Sequence, residues 1–164
     1  MSDNSNKLKA IIIDDEPRAR QMLEILVVEN TEDVEILCSC GDLPEGVKAI
    51  NKFKPDVVFL DIELPGYSGL QLLEFFNEEE ISFEIIFTTA YSDYAIKAFQ
   101  LSAIDYLLKP IQIDQLVQSI EKLKKERSKL TYIKKLEALK SQMNTGASDG
   151  SKKIVVPVSN GYQL

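Results

Sequence analysis

The sequence contains no histidine and no tryptophan, and it has only two cysteines among its 164 residues. Without an imidazole the chain cannot build a Ser-His-Asp or Cys-His nucleophile, and it cannot carry a phosphoryl group on a histidine of its own. Cys38 and Cys40 are two residues apart, so in a strand they share one face and are poorly placed to bond each other. We therefore expect reduced packing residues rather than a redox or metal motif.

Long apolar runs are also missing. No run approaches the length of a membrane span, and the opening residues, MSDNSNK, lack the basic start and apolar centre of a signal peptide. The apolar fraction of 45% and the charged fraction of 27% are those of a globular protein. We expect a cytoplasmic protein with no membrane partner.

Negative charge predominates, but it is unevenly distributed. Residues 1–120 carry 22 acidic and 9 basic side chains, whereas residues 121–140 carry 3 acidic and 8 basic ones. An acidic body therefore runs into a basic helix. Such a helix is compatible with a position near nucleic acid, although a solvated charged face is the more frequent explanation.

Five apolar runs rich in β-branched residues alternate with segments of helical spacing. The predicted strands are LKAIIID, VEILCSC, DVVFLD, EIIFTTA and IDYLLK. The predicted helices cover residues 17–30, 43–53, 69–79, 93–101 and 112–143. Asp42 and Asp93 are candidate N-caps. The alternation predicts an α/β fold in which right-handed crossovers build a parallel sheet with helices on both faces.

Polar side chains stand where four of the predicted strands end. They follow the first, third, fourth and fifth strands in turn: Asp14 with Asp15, Asp61, Thr89 and Lys109. In a doubly wound sheet, ligands bind beyond the carboxyl ends of the strands. We therefore expect these side chains to share one edge of the sheet.

Three carboxylates at one edge repel one another, by roughly 4 kcal/mol for each pair about 4 Å apart in a medium of dielectric about 20. A folded protein tolerates this only with a compensating cation, and an open, oxygen-rich site favours Mg²⁺. A carboxylate nucleophile with Mg²⁺ and Lys109 beside it is suited to accepting a phosphoryl group. Thr89 can hydrogen-bond a phosphoryl oxygen from another side.

Taken together, these motifs resemble the receiver domain of two-component response regulators. The resemblance covers about residues 8–125 and rests on the paired acids after the first strand, DIELPGYSG, Thr89-Ala90 and DYLLKP. It implies a flavodoxin-like, doubly wound sheet of five parallel strands in the order 2-1-3-4-5. It also implies that Asp61 is the phosphoacceptor and that Thr89 and Lys109 contact the phosphate.

The resemblance assigns the metal and switch roles as well. Asp14 and Asp15 are expected to bind Mg²⁺ together with Asp61, and Glu63 is expected to offer the metal its backbone carbonyl. Thr89 and Tyr106 are the expected switch residues. Many members of the family carry Asn where this chain has Glu63, so we expect its dephosphorylation rate to differ from theirs.

The C-terminal part is expected to be a connection to a second domain. Apolar side chains in residues 112–143 recur at helical intervals, but the stripe drifts, which favours an extended linker helix over a stable coiled coil. We expect a receiver at 1–125, the linker helix and a flexible linker at 126–150, and a truncated domain at 151–164. This last segment, SKKIVVPVSNGYQL, resembles the start of a LytTR-type DNA-binding domain.

The resemblance implies a signalling module rather than an enzyme. A sensor histidine kinase would supply the phosphoryl group, phosphorylation would favour a homodimer, and the missing C-terminal domain would bind DNA and regulate transcription.

One alternative is a Mg²⁺-dependent phosphohydrolase with Asp61 as nucleophile, although dehalogenase-type phosphatases have D-x-D where this chain has Glu63. Another is an unphosphorylated interaction module. Nucleotide or flavin binding is disfavoured, because no glycine-rich loop follows the first strand.

Overall fold

Strands and helices alternate in the computed structural model, which describes residues 6–146. The strands are β1 (Leu8–Ile13), β2 (Val34–Cys40), β3 (Val57–Leu60), β4 (Glu84–Thr89) and β5 (Asp105–Leu108). The α-helices are α1 (Pro17–Asn30), α2 (Leu43–Phe53), α3 (Ala95–Gln100) and α4 (Ile113–Gly146). All neighbouring strands are parallel, in the order β2-β1-β3-β4-β5. The predicted doubly wound sheet and its strand order are confirmed.

The sheet is covered on both faces, as its continuous apolar strands require. All four residues of β3 are buried, and successive side chains enter opposite halves of the core. Val58 belongs to the cluster that includes α2 and α3, whereas Phe59 packs with α1 and the start of α4. Packing on both faces thus holds the strands in place, and with them the strand ends that form the polar edge.

The helix starts show one correct prediction and one error. Asp42 caps α2, because its side chain accepts a hydrogen bond from the backbone N–H of Glu45 at 2.8 Å. The prediction for Asp93 is wrong. Helix α3 begins at Ala95 after Tyr94, and no side-chain hydrogen bond caps it.

The predicted α-helix over residues 69–79 is also wrong. Two 3-10 helices, Gly69–Phe75 and Glu78–Glu80, take its place. Ser68 and Gln71 form a capping box before the first, and Asn77 and Glu80 form one before the second. At the second boundary the N–H of Asn77 donates to Oε1 of Glu80 at 2.7 Å, and the carbonyl of Asn77 accepts from the N–H of Glu80 at 2.9 Å. Such local side-chain bonds to the backbone interrupt the segment that apolar spacing alone would continue.

The chain divides into two units after Lys124, with α4 as the continuous element through that point. The domain boundaries expected at residues 125 and 150 stay predictions. The predicted helix over residues 112–143 is present but ends later, because α4 continues to Gly146 through the first three residues of the predicted flexible linker NTGASDGS. The rest of that linker, from residue 147, and the LytTR-like segment 151–164 lie outside the described residues. Within residues 6–146, no helix is both long enough and apolar enough to cross a membrane.

Candidate functional site at the carboxyl edge of the sheet

Three aspartates converge where β1 and β3 end. One carboxylate oxygen from each of Asp14, Asp15 and Asp61 lies within 4.8 Å of the others. Asp14 and Asp61 are buried, and Asp15 is exposed. Backbone hydrogen bonds hold the two buried residues in place, because the N–H of Asp61 donates to Ile13 at 2.9 Å and that of Asp14 to Cys40 at 3.0 Å. The sheet itself therefore brings the acids together.

Lys109 places an ammonium group among these acids. Its Nζ donates to Oδ2 of Asp14 at 2.6 Å and to Oδ2 of Asp61 at 3.0 Å. Its backbone N–H donates to the carbonyl of Thr89 at 2.8 Å, which sets the lysine at the end of β5. Residues separated by 95 and 48 positions in the chain thus form one charge cluster, in which both aspartates are buried and the lysine is partly buried.

Burial and the hydrogen bonds between Lys109 and the two aspartates act in opposite directions on the pKa values of this cluster. Burial raises the pKa of Asp61 above its usual range, Asp14 adds to the rise, and the hydrogen bond from Lys109 opposes it. Burial lowers the pKa of Lys109, but its hydrogen bonds to Asp14 and Asp61 outweigh burial and leave that pKa above its usual value. The lysine is therefore a fixed positive charge at neutral pH.

The donor set fits Mg²⁺. Three carboxylates exceed the single ammonium in charge, and all of them offer the hard oxygen ligands that Mg²⁺ prefers. The backbone of Glu63 passes beside the Asp61 carboxylate, since the N–H of Glu63 donates to Oδ1 of Asp61 at 3.4 Å. The expected metal contact through the Glu63 carbonyl stays a prediction.

A glycine allows the loop after β3 to fold back on Asp61. A Cβ atom at Gly69 would lie 2.1 Å from the carbonyl oxygen of Asp61 and 3.0 Å from Cα of Ile62. The N–H of Gly69 also donates to the carbonyl of Ile62 at 2.7 Å. No other residue type fits this approach without moving the backbone at the end of β3.

The two expected switch residues lie at the ends of neighbouring strands. Thr89 is fully buried, and its hydroxyl accepts a hydrogen bond from the N–H of Tyr91 at 3.4 Å. Tyr106 is half-buried against Phe87, with ring centroids 6.3 Å apart, and its hydroxyl donates to the carbonyl of Tyr91. Both residues thus contact the segment that follows β4. Their switch and phosphate-contacting roles stay predictions.

Two contacts of the site escaped the sequence analysis. Arg20 of α1 donates through a guanidinium nitrogen to the carbonyl of Asp14 at 2.6 Å, and the Tyr94 hydroxyl donates to Oε2 of Glu63 at 3.0 Å. The sequence offered one indication of the first contact, because Arg20 lies in the first turn of α1, shortly after the paired acids Asp14 and Asp15. Nothing in the sequence pairs Tyr94 with Glu63, because 31 residues separate them.

Curated proteins are similar to this chain in sequence. The chain is 44% identical over 122 residues to the transcriptional regulatory protein BtsR of Escherichia coli strain K12, which covers 74% of this chain and 50% of that protein. An uncharacterized response regulatory protein of Vibrio cholerae is 42% identical over 125 residues, 76% of this chain and 52% of the relative. The chain spans about half the length of the curated relatives it matches.

Solved structures agree. The response regulatory domain of mrkE from Klebsiella pneumoniae superposes with a TM-score of 0.65 at 33% identity, covering 74% of this chain and 99% of that one. A DNA-binding response regulator of the LuxR family from Staphylococcus aureus has a TM-score of 0.64 at 30% identity, covering 71% and 98%. The family model for the response regulator receiver domain matches residues 10–121. This chain therefore belongs to the response regulator receiver family.

Proposed function

We propose that Asp61 accepts a phosphoryl group from a sensor histidine kinase, and that the chain is the receiver part of a two-component transcription regulator. The observation that carries this proposal is the Lys109 ammonium, which hydrogen-bonds both Asp14 and Asp61 at one edge of the sheet. That contact sets a cation beside a buried carboxylate, with further acids in reach of a metal ion. Phosphoryl transfer requires mainly positioning and charge neutralisation of this kind.

The residues of the site divide the tasks of the proposed transfer among them. An oxygen of Asp61 forms a bond to phosphorus, while the bond from phosphorus to the donor imidazole nitrogen breaks and leaves its electron pair on that nitrogen. Lys109 hydrogen-bonds a phosphoryl oxygen, and Thr89 donates its hydroxyl to another. Asp14 and Asp15, with Asp61 and the Glu63 carbonyl, would hold Mg²⁺. When bound, Mg²⁺ supplies additional positive charge for the phosphoryl oxygens.

Label from a small phosphodonor tests the acceptor assignment. The wild-type chain with acetyl phosphate and Mg²⁺ should gain one labile phosphoryl group, seen by intact mass spectrometry, and Asp61→Asn should gain none. Asp114→Asn is the matched control, because Asp114 is exposed in the first turn of α4 and should leave labelling unchanged. Label retained by Asp61→Asn would rule out Asp61 as the acceptor.

We also propose that the domain is not an enzyme toward external substrates. The Glu63 side chain supports this, because its carboxylate hydrogen-bonds the Tyr94 hydroxyl instead of standing as a second catalytic acid beside Asp61. Steady turnover of p-nitrophenyl phosphate that is lost in Asp61→Asn would contradict this proposal and favour the phosphohydrolase alternative.

Phosphorylation is proposed to act through the Thr89 and Tyr106 side chains on a dimerisation face. Support comes from apolar side chains left in solvent on α3 and β5: Ile96 is 76% exposed, Phe99 52% and Leu108 41%. Apolar groups clustered on a surface favour contact with another protein, here a second copy. Light scattering with and without acetyl phosphate measures this, and a monomer under both conditions would contradict it.

The output is proposed to be DNA binding by a LytTR-type domain beyond this chain, in the cytoplasm. The support is the resemblance of residues 151–164 to the start of such a domain. BtsR is itself named a transcriptional regulatory protein. Solved relatives include a DNA-binding response regulator of the LuxR family, so the receiver alone does not specify the type of output domain. The amino-acid sequence that follows Leu164 would decide whether that domain is of the LytTR type.

A further inference from the structure

A side-chain hydrogen bond links the loop after β3 to the start of α3. The Tyr94 hydroxyl donates to Oε2 of Glu63 at 3.0 Å. Glu63 follows Asp61 by two residues, and Tyr94 immediately precedes the first residue of α3. Both side chains line a cavity of about 640 Å³, together with Leu64, Tyr67 and others. The hydrogen bond therefore links the loop that follows Asp61 to the start of α3.

The backbone of Glu63 is held independently of this contact. Its N–H donates to Oδ1 of Asp61, and Glu63 pairs with Ser68 in an isolated antiparallel bridge. The side chain is exposed and, without a partner, would sample several rotamers. Tyr94 is thus the group that selects where the Glu63 carboxylate lies.

The selected position lies outside the acid cluster. Among the described residues, the metal-capable group consists of Asp14, Asp15 and Asp61 without Glu63. The hydrogen bond to Glu63 is also the main cause that raises the pKa of Tyr94 above its usual value, as expected when a phenol faces a carboxylate. A fourth negative charge therefore stands close to the site in sequence but is directed elsewhere.

We infer that Tyr94 is a positioning residue that keeps the Glu63 carboxylate away from the phosphoacceptor. Once released, the carboxylate samples positions nearer the acids. Added negative charge repels an anionic phosphodonor and attracts a divalent cation. Loss of the Tyr94 hydroxyl should therefore slow phosphorylation and tighten Mg²⁺ binding. The first effect rests on the proposed function, whereas the second requires only that the acids bind Mg²⁺.

The test is Tyr94→Phe in the full chain. Phosphorylation by acetyl phosphate at saturating Mg²⁺, followed by mass spectrometry, should be about threefold slower than in the wild type at low ionic strength. Mg²⁺ affinity from titration calorimetry should rise about twofold, and both effects should shrink as salt is added. Simple disorder of the loop would weaken both properties, so the opposite signs distinguish a charge effect from a structural one.

Two further variants control the measurement. Glu63→Gln removes the charge and keeps a hydrogen-bond acceptor, so adding Tyr94→Phe to it should change neither the rate nor the affinity. Tyr67→Phe removes a hydroxyl from a residue that lines the same cavity, and it should behave as the wild type.

Wild-type rate and Mg²⁺ affinity in Tyr94→Phe would overturn the inference, as would equal effects with and without Glu63→Gln. A wild-type chain that binds Mg²⁺ but takes no label at Asp61 would overturn the proposed function alone, and the Mg²⁺ affinities would then decide the role of Tyr94. A wild-type chain that binds no Mg²⁺ would overturn both.

Discussion

The carboxyl edge of the sheet and the part of α4 beyond Lys124 are both rich in charged side chains, but they hold these charges in different surroundings. At the edge, Asp14 and Asp61 are buried and share the Lys109 ammonium. In α4, Lys129 and Glu126 form a pair at 3.6 Å with side chains 75% and 44% exposed. Water screens the exposed pair of Lys129 and Glu126 much more than it screens the contacts of Lys109 with the two buried aspartates. Burial, not the number of charges, therefore decides where a substitution matters.

Replacing the lysine of each pair by methionine tests this difference most directly. Lys109→Met leaves two buried carboxylates facing each other, and we expect the free energy of unfolding without Mg²⁺ to fall by about 2 kcal/mol. Lys129→Met should change it by less than about 0.5 kcal/mol. Urea unfolding of both variants measures the contrast. Equal losses would mean that the edge is as well solvated as the helix.

Arg20 extends the comparison to a charged side chain that contacts the acid cluster at a backbone carbonyl, that of Asp14, and not at a carboxylate. Arg20→Gln frees the carbonyl of Asp14, and we expect Mg²⁺ affinity to fall by about tenfold, as when an outer-shell partner of a metal ligand is lost. Arg18→Gln removes the same charge from an exposed position in the same helix. Loss of a positive charge at either position should by itself raise Mg²⁺ affinity slightly. An affinity in Arg20→Gln that is unchanged, or raised as in Arg18→Gln, would therefore contradict a role for the Asp14 contact.

The pH dependence of stability offers a smaller but more specific signal. Because burial raises the pKa of Asp61, the stability linked to this group is present below the usual aspartate pKa and is lost as pH rises through the raised value. Without Mg²⁺, Asp61→Asn should therefore exceed the wild type in stability at pH 7, and the difference should close toward about pH 4. Thermal unfolding across this range measures it. A difference that does not change with pH would contradict the raised pKa.

The strand-end residues could be placed from sequence because topology does most of the work. Once five apolar runs are read as parallel strands, the side chains that follow them must lie at one edge, and Asp14, Asp61 and Lys109 meet there. Their distance along the chain did not matter. The polar edge was therefore predictable from the pattern of strands without any knowledge of side-chain contacts, whereas the strand order came from the family resemblance.

Other features could not be predicted from apolar spacing, because they depend on hydrogen bonds that individual side chains make. The segment before β4 has helical spacing, yet the caps at Ser68 and Asn77 divide it into two 3-10 helices. The start of α3 was misplaced because Asp93 does not cap it. The contact of Tyr94 with Glu63 depends on two side-chain rotamers, which no pattern in one sequence specifies.

The close approach of Gly69 to Asp61 divides the surroundings of Asp61 into a stiff and a compliant part. On the stiff part, the carbonyl of Asp61 and the backbone of Gly69 leave no room for the Asp61 backbone to shift. The segment after Thr89 is held differently, by the long contact at Tyr91 and by the Tyr106 hydroxyl. Any adjustment to a new charge on Asp61 should therefore fall on the second segment, which leads directly into the exposed face of α3.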